Sequence, residues 1–77
     1  MQNALLKFNN NRARRMSEEH ARAELAALGF TFARVARRSV SRDGRRETVV
    51  YNFERYSTTE AGAARYDRAR LTVTFSI

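Results

Sequence analysis

The dipeptide Asp43-Gly44 is the feature that most constrains the fold of this chain. It lies between two runs rich in β-branched and aromatic residues, 30–41 and 48–56. Because a Gly after an Asp accepts the positive φ of a tight turn, this pattern is a strong short-range signal for a β-hairpin. Several arginines surround the turn, namely Arg37, Arg38, Arg42, Arg45 and Arg46. The sequence therefore predicts a hairpin with a strongly basic tip.

A helix is predicted over residues 17–28, ahead of the hairpin. Ser17 is a good N-cap, and two acidic residues follow it in the first turn, where the helix dipole favours negative charge. Apolar residues recur on one stripe at helical spacing, at Ala21, Leu25 and Leu28. Gly29 is then suited to the left-handed position after the helix, which lets Phe30 close a Schellman motif.

Two segments after the turn have the period-2 alternation of strands, 48–56 and, most regularly, 71–77. We expect them to pair with Phe53 opposite Leu71, which places Gly62 at the connecting turn. A helical turn over 58–65 is an alternative, because Ser, Thr, Thr and Glu at 57–60 also fit a capping box.

These elements predict an α+β fold in which one main helix packs on one face of a three-stranded antiparallel meander, in the order α-β-β-β. The 77 residues are expected to form a single small domain. Its parts are a basic N-terminal arm (1–16), the helix (17–28) and the antiparallel sheet (30–77). In the arm, the apolar residues Leu5, Leu6 and Phe8 fit either one helical turn or a short extra strand.

The second face of the predicted sheet is polar and uncharged, and nothing in the chain is left to cover it. Its expected residues are Thr48, Val50, Asn52, Tyr56, Thr72 and Thr74. Antiparallel sheets commonly leave one face in water. We therefore expect a monomer, with a weak homodimer through this uncovered face as the alternative.

Composition argues against several kinds of site. The chain has no Cys and one His, His20, so we expect no disulfide, metal site or cofactor. No apolar run approaches the roughly 20 residues of a membrane span, and the apolar residues 4–6 are too few for a signal peptide. We expect a cytoplasmic protein with no membrane partner, a bacterial host being one setting.

The formal net charge is +7, and every basic residue except Lys7 is Arg. Such a balance favours polyanionic partners, although a GC-rich genome explains the Arg-over-Lys bias equally well. If the helix returns beside the first strand, the arm arginines join the hairpin tip at one pole; they are Arg12, Arg14 and Arg15. A second patch is expected at the far end of the sheet, where tyrosines among arginines are suited to stacking on bases: Tyr56, Arg65, Tyr66 and Arg68.

Two functions from different classes fit these observations. The first is a non-enzymatic module that docks the Arg-rich pole on nucleic acid or on the acidic surface of a nucleic-acid machine. The second is a small inhibitor of the phage or plasmid type, as anti-CRISPR proteins are, which blocks a protein partner by occupying its surface. An enzyme is not expected, because His20 has no evident nucleophile and only Glu24 as a neighbouring carboxylate.

Overall fold

The computed structural model describes residues 3–77, which form one α-helix and five β-strands. The elements follow in the order β1 (Ala4–Phe8), β2 (Arg14–Met16), α1 (Glu18–Ala27), β3 (Thr31–Val40), β4 (Arg46–Thr58) and β5 (Ala64–Ser76). All pairings are antiparallel in a single sheet of strand order β2-β1-β5-β4-β3.

The prediction of a three-stranded meander is wrong, because the N-terminal arm contributes two further strands. β1 pairs with β5 along its whole length, from Ala4 opposite Val73 to Phe8 opposite Ala69. The alternation of Ala4 and Leu6 with exposed or half-exposed neighbours buries both side chains against the helix. A strand is favoured over a helical turn here for two reasons. It buries these apolar side chains, and it pairs with backbone N–H and C=O groups of β5 that would otherwise lack a partner strand.

The helix has the caps that the sequence predicts. The Ser17 hydroxyl accepts a hydrogen bond from the backbone N–H of His20 at 3.2 Å, which satisfies one free donor of the first turn. At the other end, Gly29 takes φ +83°, and the N–H of Phe30 donates to the Leu25 carbonyl at 3.0 Å. This Schellman closure turns the chain sharply into β3.

The core lies between α1 and the central strands β1, β5 and β4. Both the helix and the sheet contribute fully buried side chains to it. The largest of these are Leu6, Leu25, Leu71, Val49 and Val73. β3 lies outside this core at one edge of the sheet, and all ten of its residues are exposed. The helix therefore covers only part of the sheet, and the β3 edge extends beyond it.

The pairing of β4 with β5 differs from the prediction by two residues. Phe53 lies opposite Ala69, and Tyr51 opposite Leu71. A two-residue slip keeps every side chain on its predicted face, so alternation alone does not distinguish the two registers. The turn at residues 59–63 includes Gly62 at φ +84° and forms no helix.

The first hairpin forms around Asp43-Gly44, as the sequence predicts. Five residues, 41–45, connect β3 to β4. The N–H of Gly44 donates to the Ser41 carbonyl at 3.0 Å, and Gly44 takes φ +71°. Loops of this length are commonly built around a single β-turn.

The molecule is elongated, with principal extents of 52 × 22 × 19 Å. β4 and β5 have 13 residues each, so they span about 43 Å and define the long axis. Within residues 3–77, no helix is both long and apolar enough to cross a membrane.

Candidate nucleic-acid interface

The sheet face opposite α1 collects most of the unpaired positive charge. Along β5, the buried residues Leu71 and Val73 point to the helix, so Arg70 and Thr72 lie on the opposite face. Following this alternation through the register of all five strands gives seven basic residues on the uncovered side. We call this surface the basic face and define it by Lys7, Arg15, Arg34, Arg37, Arg46, Arg68 and Arg70.

Three of these cations line up across the sheet. A transverse row crosses four strands in register, in the order Lys7, Arg70, Asn52 and Arg34. Adjacent strands lie about 4.8 Å apart, so the row is about 15 Å long. Such a row presents several guanidinium and ammonium donors side by side on one surface.

Two β-bulges in β3 bring its arginines to the basic face. The register jumps between Phe32 and Arg34 and again between Val35 and Arg37, so one extra residue is inserted at each step. Phe32 and Val35 consequently share the helix side although they are three residues apart. Arg34 and Arg37 both lie on the other face, opposite Asn52 and Val50.

The formal charge of the protein is concentrated on this surface. The basic face has seven cations and one carboxylate, Glu54, among the described residues, which gives +6. The remaining eight basic and seven acidic residues of the chain give +1, which accounts for the total of +7. The uncovered face is therefore strongly charged, and the prediction of an uncharged polar face is wrong.

The ion pairs are found elsewhere. Within residues 3–77 there are five: Arg14–Glu24, Arg22–Glu18, Arg38–Glu47, Arg55–Asp67 and Arg65–Asp67. None involves a cation of the basic face. Nor does any of these seven side chains donate a hydrogen bond to another of the described residues, so their donors are available to an external anion.

A shallow cleft of about 370 Å³ opens on the basic face. Four of its lining residues are cations, namely Lys7, Arg34, Arg68 and Arg70, and the turn after β1 forms one wall. The Tyr66 hydroxyl donates to Glu54 Oε2 at 3.3 Å within the same cleft. Desolvation, followed by the charge of the Glu54 carboxylate, raises the pKa of Tyr66, so its hydroxyl keeps its proton.

The first hairpin tip, residues 41–46, is a second basic surface with a fixed backbone. Asp43 accepts hydrogen bonds from the Ser41 hydroxyl at 2.6 Å and from the Arg45 N–H at 3.0 Å. These two bonds lower the pKa of the Asp43 carboxyl. Ser41 Oγ also accepts from the Arg46 N–H at 3.1 Å, so the loop is internally tied while Arg42 and Arg45 remain exposed.

The predicted pole does not form. β2 and β3 are opposite edges of the sheet, so Arg14 and Arg15 lie about 19 Å to the side of β3 and about 14 Å to the side of β4. Arg12 lies in the turn near the far end of β1. The sequence-based prediction placed the arm arginines beside the hairpin tip because it did not include β1, which lies between β2 and β5.

The other predicted site residues divide between the two sides of the sheet. Arg37, Arg46 and Arg68 lie on the basic face, as do Tyr56 and Tyr66 at its far end. Arg14, Arg38 and Arg65 lie on the helix side and each forms an ion pair. Arg42 and Arg45 belong to the hairpin tip.

Sequence reasoning did not identify Lys7, Arg34 and Arg70 as site residues. Lys7 and Arg70 carried a usable signal, because each interrupts an apolar alternation and must therefore point away from the core. Arg34 carried none, because its face depends on a bulge.

Over residues 3–77, no three His, Asp or Glu side chains gather in a way that could hold a metal ion. Comparisons with protein families, with curated proteins and with solved structures find no match for the chain.

Proposed function

We propose that this protein is a non-enzymatic module that binds nucleic acid through the basic face. The observation that supports the proposal is the segregation of charge: the uncovered face has a net +6 and no ion pairs, while every ion pair of the described residues lies elsewhere. Arginines with a structural role would be expected to form ion pairs, and on this face only Arg68 has a carboxylate directly opposite it, Glu54, with which it forms no ion pair.

The chemistry of the surface fits phosphate. Six of the seven cations are arginines, whose planar fork donates two hydrogen bonds to one phosphate group. A row of such groups across a sheet can follow a nucleic-acid backbone without reading bases, so binding is expected to be weakly dependent on sequence. The cytoplasm is the compartment that this function implies.

A salt titration of oligonucleotide binding tests the proposal. Neutralising phosphates releases counterions, so the logarithm of the binding constant should fall linearly with the logarithm of salt concentration. If the four cleft cations each contact a phosphate, the slope for a single strand should be about −3. Absence of binding at low salt, or binding that does not vary with salt, would contradict the proposal.

A specific observation favours a second function, an inhibitor that occupies a protein surface. The edge strand β3 is exposed throughout, and its helix-side residues Phe32, Val35 and Val40 are more than 40% exposed. Apolar side chains beside arginines are typical of protein-docking surfaces. A pull-down that yields one stoichiometric protein after nuclease treatment would favour this function, in which the protein blocks its partner.

A further inference from the structure

Two tyrosines form an exposed aromatic pair at the far end of the basic face. Tyr56 and Tyr66 lie opposite each other on β4 and β5, with ring centroids 4.9 Å apart and planes inclined at 42°. Tyr56 is 73% exposed and Tyr66 48% exposed. Large aromatic faces in contact with water beside a basic cleft are available to a ligand.

The pair belongs to the same surface as the cations. On β5, Tyr66, Arg68 and Arg70 are successive residues of the uncovered face, each about 6.7 Å from the next. Tyr66 also lines the cleft with Arg68 and Arg70. An extended ligand can therefore contact the aromatic pair and the transverse row of cations together.

The cleft is chemically polarised along this direction. Its end nearest the tyrosines has the carboxylate of Glu54 directly opposite Arg68, so the net charge there is close to zero and the carboxylate can accept hydrogen bonds from N–H donors. Its other end has the row of cations that includes Arg70 and Lys7. A nucleotide has the matching polarity, because its base has N–H donors and an aromatic face while its phosphate is anionic.

We propose that Tyr56 and Tyr66 form a base-stacking subsite, which makes the ligand of the basic face a single-stranded nucleic acid. This inference depends on the proposed nucleic-acid function and adds to it the form of the substrate. A duplex keeps its bases stacked and paired inside the helix, so it offers these rings no base face. Phosphate contacts supply the sequence-independent affinity, and stacking supplies the preference for unpaired strands.

The experiment compares three oligonucleotides with equal numbers of phosphates: a single strand, an abasic single strand and a duplex. Each is titrated against the wild-type protein and against Tyr66→Leu and Tyr56→Leu, which keep an apolar cross-strand contact but remove the aromatic ring. RNA and DNA versions of the single strand are run in parallel. Since the chain has three Tyr and no Trp, quenching of tyrosine fluorescence that is smaller in each tyrosine variant than in the wild type reports stacking on the pair.

The wild type is expected to bind the single strand at least fivefold more tightly than the abasic strand, since one stacked base contributes about 5- to 150-fold. Tyr56→Leu, which lies outside the cleft, and Tyr66→Leu should each reduce this difference, and the affinity for the abasic strand should fall by less than that for the base-containing strand. Retained abasic binding also shows that the variant is folded.

Three results would overturn the inference. Equal wild-type affinity for base-containing and abasic strands would remove the stacking subsite but leave the nucleic-acid function intact. Loss of both affinities in both tyrosine variants would make the pair a structural element of the hairpin. Tighter binding of the duplex than of the single strand would show that the ligand is not single-stranded. Failure of all three oligonucleotides to bind would overturn the proposed function itself.

Discussion

Asp67 is the one buried charged side chain among residues 3–77, at 3% exposure. Its carboxylate accepts hydrogen bonds from Arg55 at 2.8 Å and Asn9 at 3.1 Å, and Arg65 lies 3.2 Å away. Arg55 also donates to the Leu28 carbonyl at 2.8 Å. One carboxylate thus joins β5 to β4, to the end of the helix and to the turn after β1. This buried charge is tolerated because both oxygens of the carboxylate accept hydrogen bonds.

This network predicts a measurable acid sensitivity. The hydrogen bonds from Arg55 and Asn9 hold the pKa of Asp67 below its ordinary value of 3.8. The folded state therefore binds fewer protons than the unfolded state, so the stabilisation is present above pH 3.8 and is lost as the pH falls through the lowered pKa. We expect Asp67→Asn to have a lower free energy of unfolding than the wild type at pH 7. At acid pH, where the wild type loses this stabilisation, the difference in unfolding free energy between the two proteins should be smaller.

Urea unfolding of wild type and Asp67→Asn at pH 7 and pH 3 measures this effect. Glu60→Gln is the control, because Glu60 is exposed in the β4–β5 turn and forms no ion pair among the described residues. A gap between Asp67→Asn and wild type that stays constant from pH 7 to pH 3 would contradict the assignment.

At the scale of elements, the N-terminal strand decides the architecture. β1 separates β2 from β5 and supplies Leu6, whose side chain is fully buried. It also supplies Lys7, which completes the transverse row on the basic face. The sequence left this segment open between a helical turn and a strand because Leu5, Leu6 and Phe8 satisfy both periodicities.

Adjacent leucines in β1 provide a matched test of its packing. Leu6→Ala should destabilise the fold by about 2–5 kcal/mol, because it removes a buried side chain and leaves a cavity. Leu5→Ala, one residue away on the opposite face, is half-exposed and should cost about 1 kcal/mol or less. Chemical denaturation of both variants gives the comparison, and equal losses would show that β1 is not docked as described.

The strand β3 shows a limit of pattern reading at this scale. Its apolar residues Phe32 and Val35 are three apart, a spacing that departs from the period of 2 of a regular strand. The bulges resolve the mismatch by inserting one residue each, and they also disrupt an edge that would otherwise invite pairing with other chains. Bulges have no reliable single-sequence signal, so the face of Arg34 could not be predicted.

For the whole molecule, the sequence gives the net charge but does not predict which surface of the fold carries it. The helix with its caps and the faces of β4 and β5 follow from local patterns, because those patterns are set by local physics. Which arginines lie together depends on strand order and on the insertion of β1, which are non-local. The predicted Arg-rich pole therefore failed, while a basic surface of a different composition formed on the uncovered sheet.

In the proposed function, the position of the positive charge on the sheet, rather than its total, determines the affinity for nucleic acid. Two double variants with the same net charge separate these alternatives: Arg34→Ala with Arg70→Ala on the basic face, and Arg14→Ala with Arg22→Ala on the helix side. The helix-side pair loses two ion pairs and the contact of Arg22 with the Tyr51 ring at 4.9 Å, so urea unfolding of both double variants first establishes that they are folded.

The decisive measurement is the salt dependence of single-strand binding for both double variants and the wild type. The basic-face variant should bind more weakly, and its slope should be shallower by about 1.4, because two phosphate contacts are lost. The helix-side variant should keep the wild-type slope. Equal losses of affinity and slope in the two variants would show that binding follows bulk charge alone and would contradict the assignment of the basic face.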